Sequence, residues 1–138
     1  MADNKVAFEL VAPEKLLFSA EVDMVVVPGS EGDFGVLPGH APVIASVRPG
    51  VIDIYDGGID AKFIRERIFV AGGFAEVSES RCTVLAEEAM PLGDIDAAGL
   101  DARLTAARAA LAAAESDEER VRRTRDLAVI EAMIGAAR

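Results

Sequence analysis

Residues 29–42 read GSEGDFGVLPGHAP, and this stretch holds four glycines and two prolines in fourteen positions. Proline fixes its own backbone φ angle and glycine reaches positive φ angles at little cost. The composition therefore predicts a rigid, irregular path with several positions that favour glycine. Apolar segments of strand length lie on both sides, at residues 24–27 and 43–47. The stretch is predicted to be an ordered connection between two strands.

Short apolar segments separated by Gly, Pro, Asp and Ser recur along the chain up to about residue 90. Alternation of apolar and other residues, as in residues 6–10, is typical of strands. Asp56-Gly57-Gly58 offers a tight hairpin turn, so residues 52–55 and 59–64 are predicted to pair. About nine or ten such strands favour a β-sandwich or flattened barrel over residues 1–90. The predicted strands lie at residues 6–10, 24–27, 43–47, 52–55, 59–64, 68–71, 74–77 and 81–86.

The sequence changes character after Pro91-Leu92-Gly93, because alanine, leucine and arginine now recur at helical spacing. Asp94 or Asp96 can cap a first helix, and Ser116-Asp117-Glu118-Glu119 fits the capping box of a second. Residues 91–138 are therefore predicted to form an antiparallel two-helix hairpin. A single helix of roughly 40 residues is the alternative, but it would leave its apolar stripes exposed to water. The predicted stripes are Leu100, Leu104, Ala107, Leu111 and Ala114, followed by Leu127, Ile130, Ile134 and Ala137.

Charge, hydropathy and cysteine content narrow the class of protein. The net charge is -10 and no run of Lys or Arg is longer than two, which argues against nucleic acid as a partner. No segment approaches the roughly 18 uninterrupted apolar residues of a membrane span, so a link to a membrane is expected only through a partner. Cys82 is the one cysteine, which excludes an internal disulfide, and its place in a predicted strand indicates a buried thiol.

The glycine-rich stretch does not have the composition of a catalytic or nucleotide site. A Walker phosphate loop needs Lys and Ser/Thr after its last glycine, whereas Val36 and Leu37 follow Gly35. Glu31, Asp33 and His40 carry groups that can bind metals or transfer protons, but the chain has a single histidine and no placed nucleophile. The sequence therefore predicts no catalytic residue, no metal site and no cofactor.

Four segments resemble the epsilon subunit of the bacterial F-type ATP synthase: residues 29–42, Arg48-Pro49-Gly50, residues 71–77 and residues 83–87. With the predicted hairpin, the resemblance covers nearly the whole chain. It implies a subunit of the central stalk that is not an enzyme and that couples proton-driven rotation to ATP synthesis. It also implies a peripheral position at the cytoplasmic face of the bacterial inner membrane, held there through the complex.

The resemblance implies two partners for the sandwich. In the family the glycine-rich loop lies at the foot of the sandwich and contacts polar loops of the c subunits in the rotor ring. The matching positions in this sequence are Glu31, Gly32, Asp33 and His40. Another face of the sandwich is expected to pack on the gamma subunit, although the sequence alone does not single out that face.

The resemblance also implies a regulatory hairpin. In the family the hairpin lies folded on the sandwich or extends along gamma toward the alpha and beta subunits, where it inhibits ATP hydrolysis. The alanine-rich stripes and Gly99 predict a weakly held hairpin, because a buried methyl group contributes only about 0.8 kcal/mol. Four residues resemble the basic group that the family turns toward beta, although a solvated face with weak ion pairs explains them equally well: Arg120, Arg122, Arg123 and Arg125.

Two alternative functions are open from the sequence. Some family members sense ATP through an Ile/Leu-Asp-x-x-Arg-Ala motif, and this chain keeps Ile95 and Asp96 but has Gly99 in the arginine position. Without that guanidinium we expect weak or absent ATP binding. The other alternative is a free-standing β-sandwich that binds a small ligand, which the absence of tryptophan and the single tyrosine disfavour.

Overall fold

Ten strands, a short 3-10 turn and two helices make up the part of the chain that the computed structural model describes, residues 5–57 and 64–137. The strands are β1 (Val6–Ala12), β2 (Lys15–Val22), β3 (Met24–Gly29), β4 (Gly32–Val36), β5 (Val43–Val47), β6 (Gly50–Tyr55), β7 (Ile64–Val70), β8 (Gly73–Val77), β9 (Arg81–Ala86) and β10 (Ala89–Pro91). The 3-10 turn is Leu92–Asp94, and the helices are α1 (Ala97–Ala112) and α2 (Asp117–Ala137).

The strands form one sheet in the order β10-β7-β6-β3-β5-β8-β9-β1-β2, and β4 pairs with β3 outside this path. β1 and β9 run parallel, whereas β1–β2 and β8–β9 are antiparallel. Because β3 pairs with β4, β5 and β6, the sheet folds over and encloses its inward-facing side chains. This architecture confirms the predicted β-sandwich or flattened barrel. Its core includes Val6, Phe8, Leu10, Val22, Val25, Val27, Val36, Ile52, Ile54, Val77, Cys82 and Val84.

Three strands of the structure were not predicted from the sequence. β2 reads KLLFSAEV and β4 reads GDFGV, and neither shows clean alternation of apolar and polar residues. β10 has only three residues. Their strand conformation comes from pairing with β1, β3 and β7, which is a tertiary effect. The predicted turn at residues 56–58 and its return strand at 59–64 lie mostly outside the described residues, although Ile64 begins β7.

The C-terminal end of β7 is buried on both of its faces. Its last three residues, Ile68, Phe69 and Val70, are all buried, although neighbouring side chains in a strand point to opposite faces. Ile68 and Val70 belong to the sandwich core, whereas Phe69 lies on the outer face under the helices. The outer face of this strand therefore serves as the docking surface of the helical hairpin.

The break between the helices follows the capping signals. The Asp96 side chain accepts a hydrogen bond from the Gly99 N–H at 3.3 Å and begins α1. Ser116 Oγ accepts the Glu119 N–H at 3.1 Å and begins α2. The predicted two-helix hairpin is confirmed, and the alternative of one continuous helix is wrong, because each cap satisfies backbone donors that a continuous helix would bond internally.

The hairpin lies folded against β6 and β7. A second cluster of buried residues holds it there: Phe69 and Ala71 from the sheet, Leu100 from α1 and Met133 from α2. The predicted stripe of α1 is buried or half-buried throughout. The predicted stripe of α2 was wrong at its end, since Met133 was omitted and Ala137 is exposed. α2 contacts the sheet as well as α1, so its buried face is wider than a stripe facing one helix.

Two further observations concern single features. No helix among the described residues is long and apolar enough to cross a membrane. The Cys82 side chain is fully buried in the sandwich core, and burial raises the pKa of its thiol to about 12, since the thiolate would lose its hydration there. The prediction of a buried thiol is confirmed.

Candidate functional site

The tip of the β3–β4 hairpin carries the first three predicted contact residues. Gly29 lies opposite Gly32 in the hairpin, which leaves Ser30 and Glu31 in the turn. Gly32 has a φ of 133°, in the region that favours glycine. The prediction of an irregular path over the whole stretch was wrong for residues 32–36, because backbone pairing with β3 makes them a strand.

The second half of the stretch is irregular, as predicted, and it is held by backbone hydrogen bonds. Gly39 has a φ of 86°, and its N–H donates to the Glu79 carbonyl oxygen at 2.7 Å, in the turn between β8 and β9. His40 Nδ1 lies 2.7 Å from the Ala41 carbonyl oxygen. A carbonyl can only accept, so Nδ1 donates, and Nε2 is left available for another partner.

The four predicted contact residues line one open groove of about 890 Å³, which we call the foot groove. Its apolar side includes Ile44, whose side chain is 74% exposed and which the sequence did not single out. Across residues 5–57 and 64–137, no group of three or more His, Cys, Asp or Glu side chains is placed to hold a metal ion. The groove is formed by Gly29, Ser30, Glu31, Gly32, Asp33, Phe34, His40, Ala41, Pro42, Val43, Ile44, Ala45 and Ser46.

Arg48 is a second residue that the sequence did not assign to this site. Its guanidinium donates to the Gly29 carbonyl oxygen and to Asp33 Oδ1, both at 2.5 Å. The two acceptors lie on the two strands of the β3–β4 hairpin, so one side chain bridges the hairpin. Glu31, in contrast, is exposed and has no hydrogen bond or ion pair with the described residues. The two carboxylates of the tip therefore differ, since one is paired and the other is not.

A row of exposed apolar side chains crosses four strands on the outer face of the sandwich. Phe74 lies opposite Leu85, Leu85 opposite Val11, and Val11 opposite Leu16. Phe74, Leu85 and Leu16 are 59%, 53% and 55% exposed, and Val11 is half-buried. We call these four residues the apolar row. An apolar strip that continues across several strands indicates a protein contact more strongly than scattered exposed residues do.

A cavity of about 580 Å³ lies between the helical hairpin and the sheet. The Nε of Arg123 is buried with no hydrogen-bond partner, and the nearest contact of this guanidinium with a carboxylate is 3.8 Å, to Asp126. The cavity therefore contains one arginine donor that lacks an acceptor. Its charged lining consists of Glu87, Glu88, Arg103, Arg123, Arg125 and Asp126.

The four arginines predicted to face the beta subunit do not form one patch. Arg123 and Arg125 line the cavity. Arg120 pairs with Asp117 at 2.6 Å, whereas Arg122 is exposed. Arg120 fits the alternative of an ordinary face with ion pairs. Of the four arginines, Arg122 and Arg125 have no ion pair with the described residues.

The two residues kept from the ATP motif have structural roles. Ile95 packs against the cluster that holds the hairpin to the sheet, and Asp96 caps α1. Neither residue lines the arginine-rich cavity. The structure therefore does not bring Ile95 and Asp96 together with the arginines of α2.

Residues 5–92 match the family model described as "ATP synthase, Delta/Epsilon chain, beta-sandwich domain". The chain is 57% identical to the ATP synthase epsilon chain of Paramagnetospirillum magneticum over 133 residues, which cover 96% of this chain and 97% of that one. It belongs to the ATP synthase epsilon chain family. The epsilon chain of Rhodospirillum rubrum is 53% identical over 129 residues, covering 94% of this chain and 93% of the relative. The identification made from residues 29–42 and the segments that follow is confirmed.

Chains with this fold are found in solved structures of ATP synthase complexes. One match is a chain in the Euglena gracilis mitochondrial ATP synthase, solved as OSCP/F1/c-ring in one rotational state. The alignment has a TM-score of 0.81 and 25% identity, and it covers 98% of this chain and 82% of that one. A chain in the central stalk and c-ring of the Tetrahymena thermophila enzyme has a TM-score of 0.67 at 9% identity and shows the fold alone. As a family member, the chain is a stalk subunit of ATP synthase, a membrane-associated complex.

Proposed function

We propose that the chain is a non-catalytic coupling subunit that links the rotor ring to the rest of the central stalk at the cytoplasmic face of the bacterial inner membrane. The foot groove is the observation that carries this proposal. It gathers Glu31, Gly32, Asp33 and His40 on one open surface, beside the exposed Ile44. The β3–β4 hairpin and its bonds to neighbouring strands make this surface stiff, which a contact that transmits torque requires.

The apolar row supports a place for the gamma subunit. It offers large exposed side chains on a rigid sheet, and these would be buried in a stable protein interface. The row and the foot groove meet at neighbouring strands, since Phe74 on β8 lies opposite Ser46 on β5. One rigid body can therefore contact gamma along the row and the c subunits at the foot.

The hairpin supports a regulatory role. It is docked through a cluster of four buried residues with partly buried neighbours, which is smaller than the sandwich core, so a competing surface on gamma or on the alpha and beta subunits could displace it by offering comparable contacts. Arg122 and Arg125 are the arginines available for an acidic segment of beta. Inhibition of ATP hydrolysis would follow from the extended hairpin obstructing rotation.

A second candidate function, ATP sensing, is favoured by one observation. The cavity under the hairpin has three arginines, and the buried Nε of Arg123 lacks an acceptor. Gly99 in place of the motif arginine and the use of Asp96 as a helix cap argue against this function. Calorimetric titration of the isolated chain with ATP separates the two, since we expect no stoichiometric binding. Tight binding would favour the sensor.

The coupling proposal is tested by capture of gamma and the detergent-solubilised rotor ring. We expect replacement of Glu31, Asp33 and His40 together by alanine to lose the ring while gamma is retained. Glu21→Gln, which removes one exposed carboxylate on β2, is the control for a change in net charge. Undiminished capture of the ring by the triple variant would remove these residues from the contact.

The gamma and hairpin proposals have tests of their own. Phe74→Ser with Leu85→Ser should lose gamma, because both exposed apolar side chains are removed and the buried core is left intact. Deletion of residues 94–138 should leave assembly and coupling intact and raise ATP hydrolysis. Failure to assemble after that deletion would contradict the division of roles between the sandwich and the hairpin.

A further inference from the structure

Arg48 is fixed to the β3–β4 hairpin through three bonds. Its backbone N–H donates to the Pro28 carbonyl oxygen at 2.9 Å, and its guanidinium reaches the Gly29 carbonyl oxygen and Asp33 Oδ1. The Gly29 carbonyl belongs to β3 and Asp33 to β4. A planar guanidinium suits this bridge, because its donors form a fixed fork. Arg48 therefore sets the position of the hairpin tip relative to β5.

The same contact divides the charges of the foot groove. Asp33 Oδ1 is paired with the Arg48 guanidinium at 2.5 Å, whereas Glu31 at the turn has no partner among the described residues. A neighbouring protein that meets the groove would find one unpaired carboxylate. Asp33, in contrast, already has one carboxylate oxygen engaged by the protein's own arginine.

We propose that Arg48 is the positioning residue of the foot groove and that Glu31 alone supplies the negative charge that meets the rotor ring. Asp33 acts through Arg48 to hold the tip. The complementary group on the ring is then a cationic side chain or a hydrogen-bond donor facing Glu31. This inference rests on the proposed function, namely that the foot groove contacts the ring.

The test measures affinity of the full chain, in complex with gamma, for the detergent-solubilised rotor ring at several salt concentrations. Affinity carried by an exposed charge weakens as salt rises, so the salt dependence reports the charge that meets the ring. Glu31→Gln should weaken binding about two- to fivefold and flatten the salt dependence. Asp33→Asn should weaken binding through loss of one anchor of Arg48 but keep the salt dependence of the wild type.

A double-variant comparison tests positioning itself. Arg48→Gln should weaken binding, and Glu31→Gln should then cost little more, because a displaced tip no longer presents Glu31. Arg48→Lys keeps the charge and one anchor, and it should restore part of the affinity. A thermal midpoint close to that of the wild type shows that the sandwich of each variant is folded.

The outcomes distinguish failure of this inference from failure of the proposed function. Flattened salt dependence in Asp33→Asn would place Asp33 in direct contact with the ring and overturn the inference. An unchanged penalty for Glu31→Gln in the Arg48→Gln background would also overturn it. Wild-type affinity in every variant would instead refute the contact between the foot groove and the ring, and with it the proposed function.

Discussion

Replacing Met133 with alanine is expected to release the helical hairpin while the sandwich stays folded. The cluster that docks the hairpin has three large buried side chains, Phe69, Leu100 and Met133, and Met133 is only 1% exposed. Truncation of a buried methionine to alanine costs about 2–5 kcal/mol, because apolar contacts are lost and a cavity remains. A cost of about 2 kcal/mol shifts the docking equilibrium roughly thirtyfold toward the released hairpin.

Amide hydrogen exchange measures this release directly. We expect the amides of α1 and α2 to lose protection in Met133→Ala and the amides of β1 and β9 to keep theirs, because those strands belong to the separate sandwich core. Val121→Ala is the matched control, since Val121 lies on the same helix and is 61% exposed, so its effect should stay within about 0.5 kcal/mol. Equal loss of protection in the strands and the helices would refute the reasoning, because it would show that the hairpin and the sandwich open as one unit.

Three further predictions follow from single residues. Cys82 should react with a thiol reagent at pH 8 about a thousandfold or more slowly in the native chain than in the urea-unfolded chain. Burial raises the pKa of the thiol to about 12, and the reaction requires the sandwich core to open. Prompt labelling of the native chain would contradict this. Hydrogen bonds to Asp23 and Asp56 raise the pKa of Lys5 above its usual 10.5, so its stabilising contribution should be complete below pH 10.5 and should be lost as the pH rises through the raised pKa. The urea midpoints of the wild type and Lys5→Met should therefore differ at pH 7 and converge once the pH exceeds the raised pKa of Lys5, and a gap that widens with pH would show the opposite sign. Ser116→Ala should lower the stability of α2 by about 1 kcal/mol through loss of its cap, measured as faster exchange of the first amides of α2; Ser116→Asp should restore protection if capping is the cause.

Features that depend on local periodicity could be predicted from the sequence. Val6, Phe8 and Leu10 alternate and are buried in β1, and Asp96 and Ser116 cap the helices at the expected positions. In each case the physical cause acts within a few residues along the chain, so the pattern is visible without the fold. The change in composition after residues 91–93 was equally visible, and the two predicted helices follow it.

Features that depend on strand register could not be predicted. The apolar row exists only because Phe74, Leu85, Val11 and Leu16 are brought side by side by three different strand pairings. The pairing of Arg48 with Asp33 likewise requires β5 to lie against β3. The sequence placed Asp33 among the contact residues by resemblance, and no local pattern could show that its carboxylate is already paired with Arg48.

The foot groove and the helical hairpin depend on two different hydrophobic clusters. Val25, Val27 and Val36 of the β3–β4 hairpin are fully buried in the sandwich core, so the strands that carry the tip of the foot groove are anchored in that core. The helices depend on the smaller cluster outside it, which Phe69 reaches because the C-terminal end of β7 is buried on both faces. Local opening requires only the contacts of the unit that opens. Release of the hairpin would therefore leave the β3–β4 hairpin and the Arg48 bridge in place, which is the condition that a subunit with both proposed roles must meet.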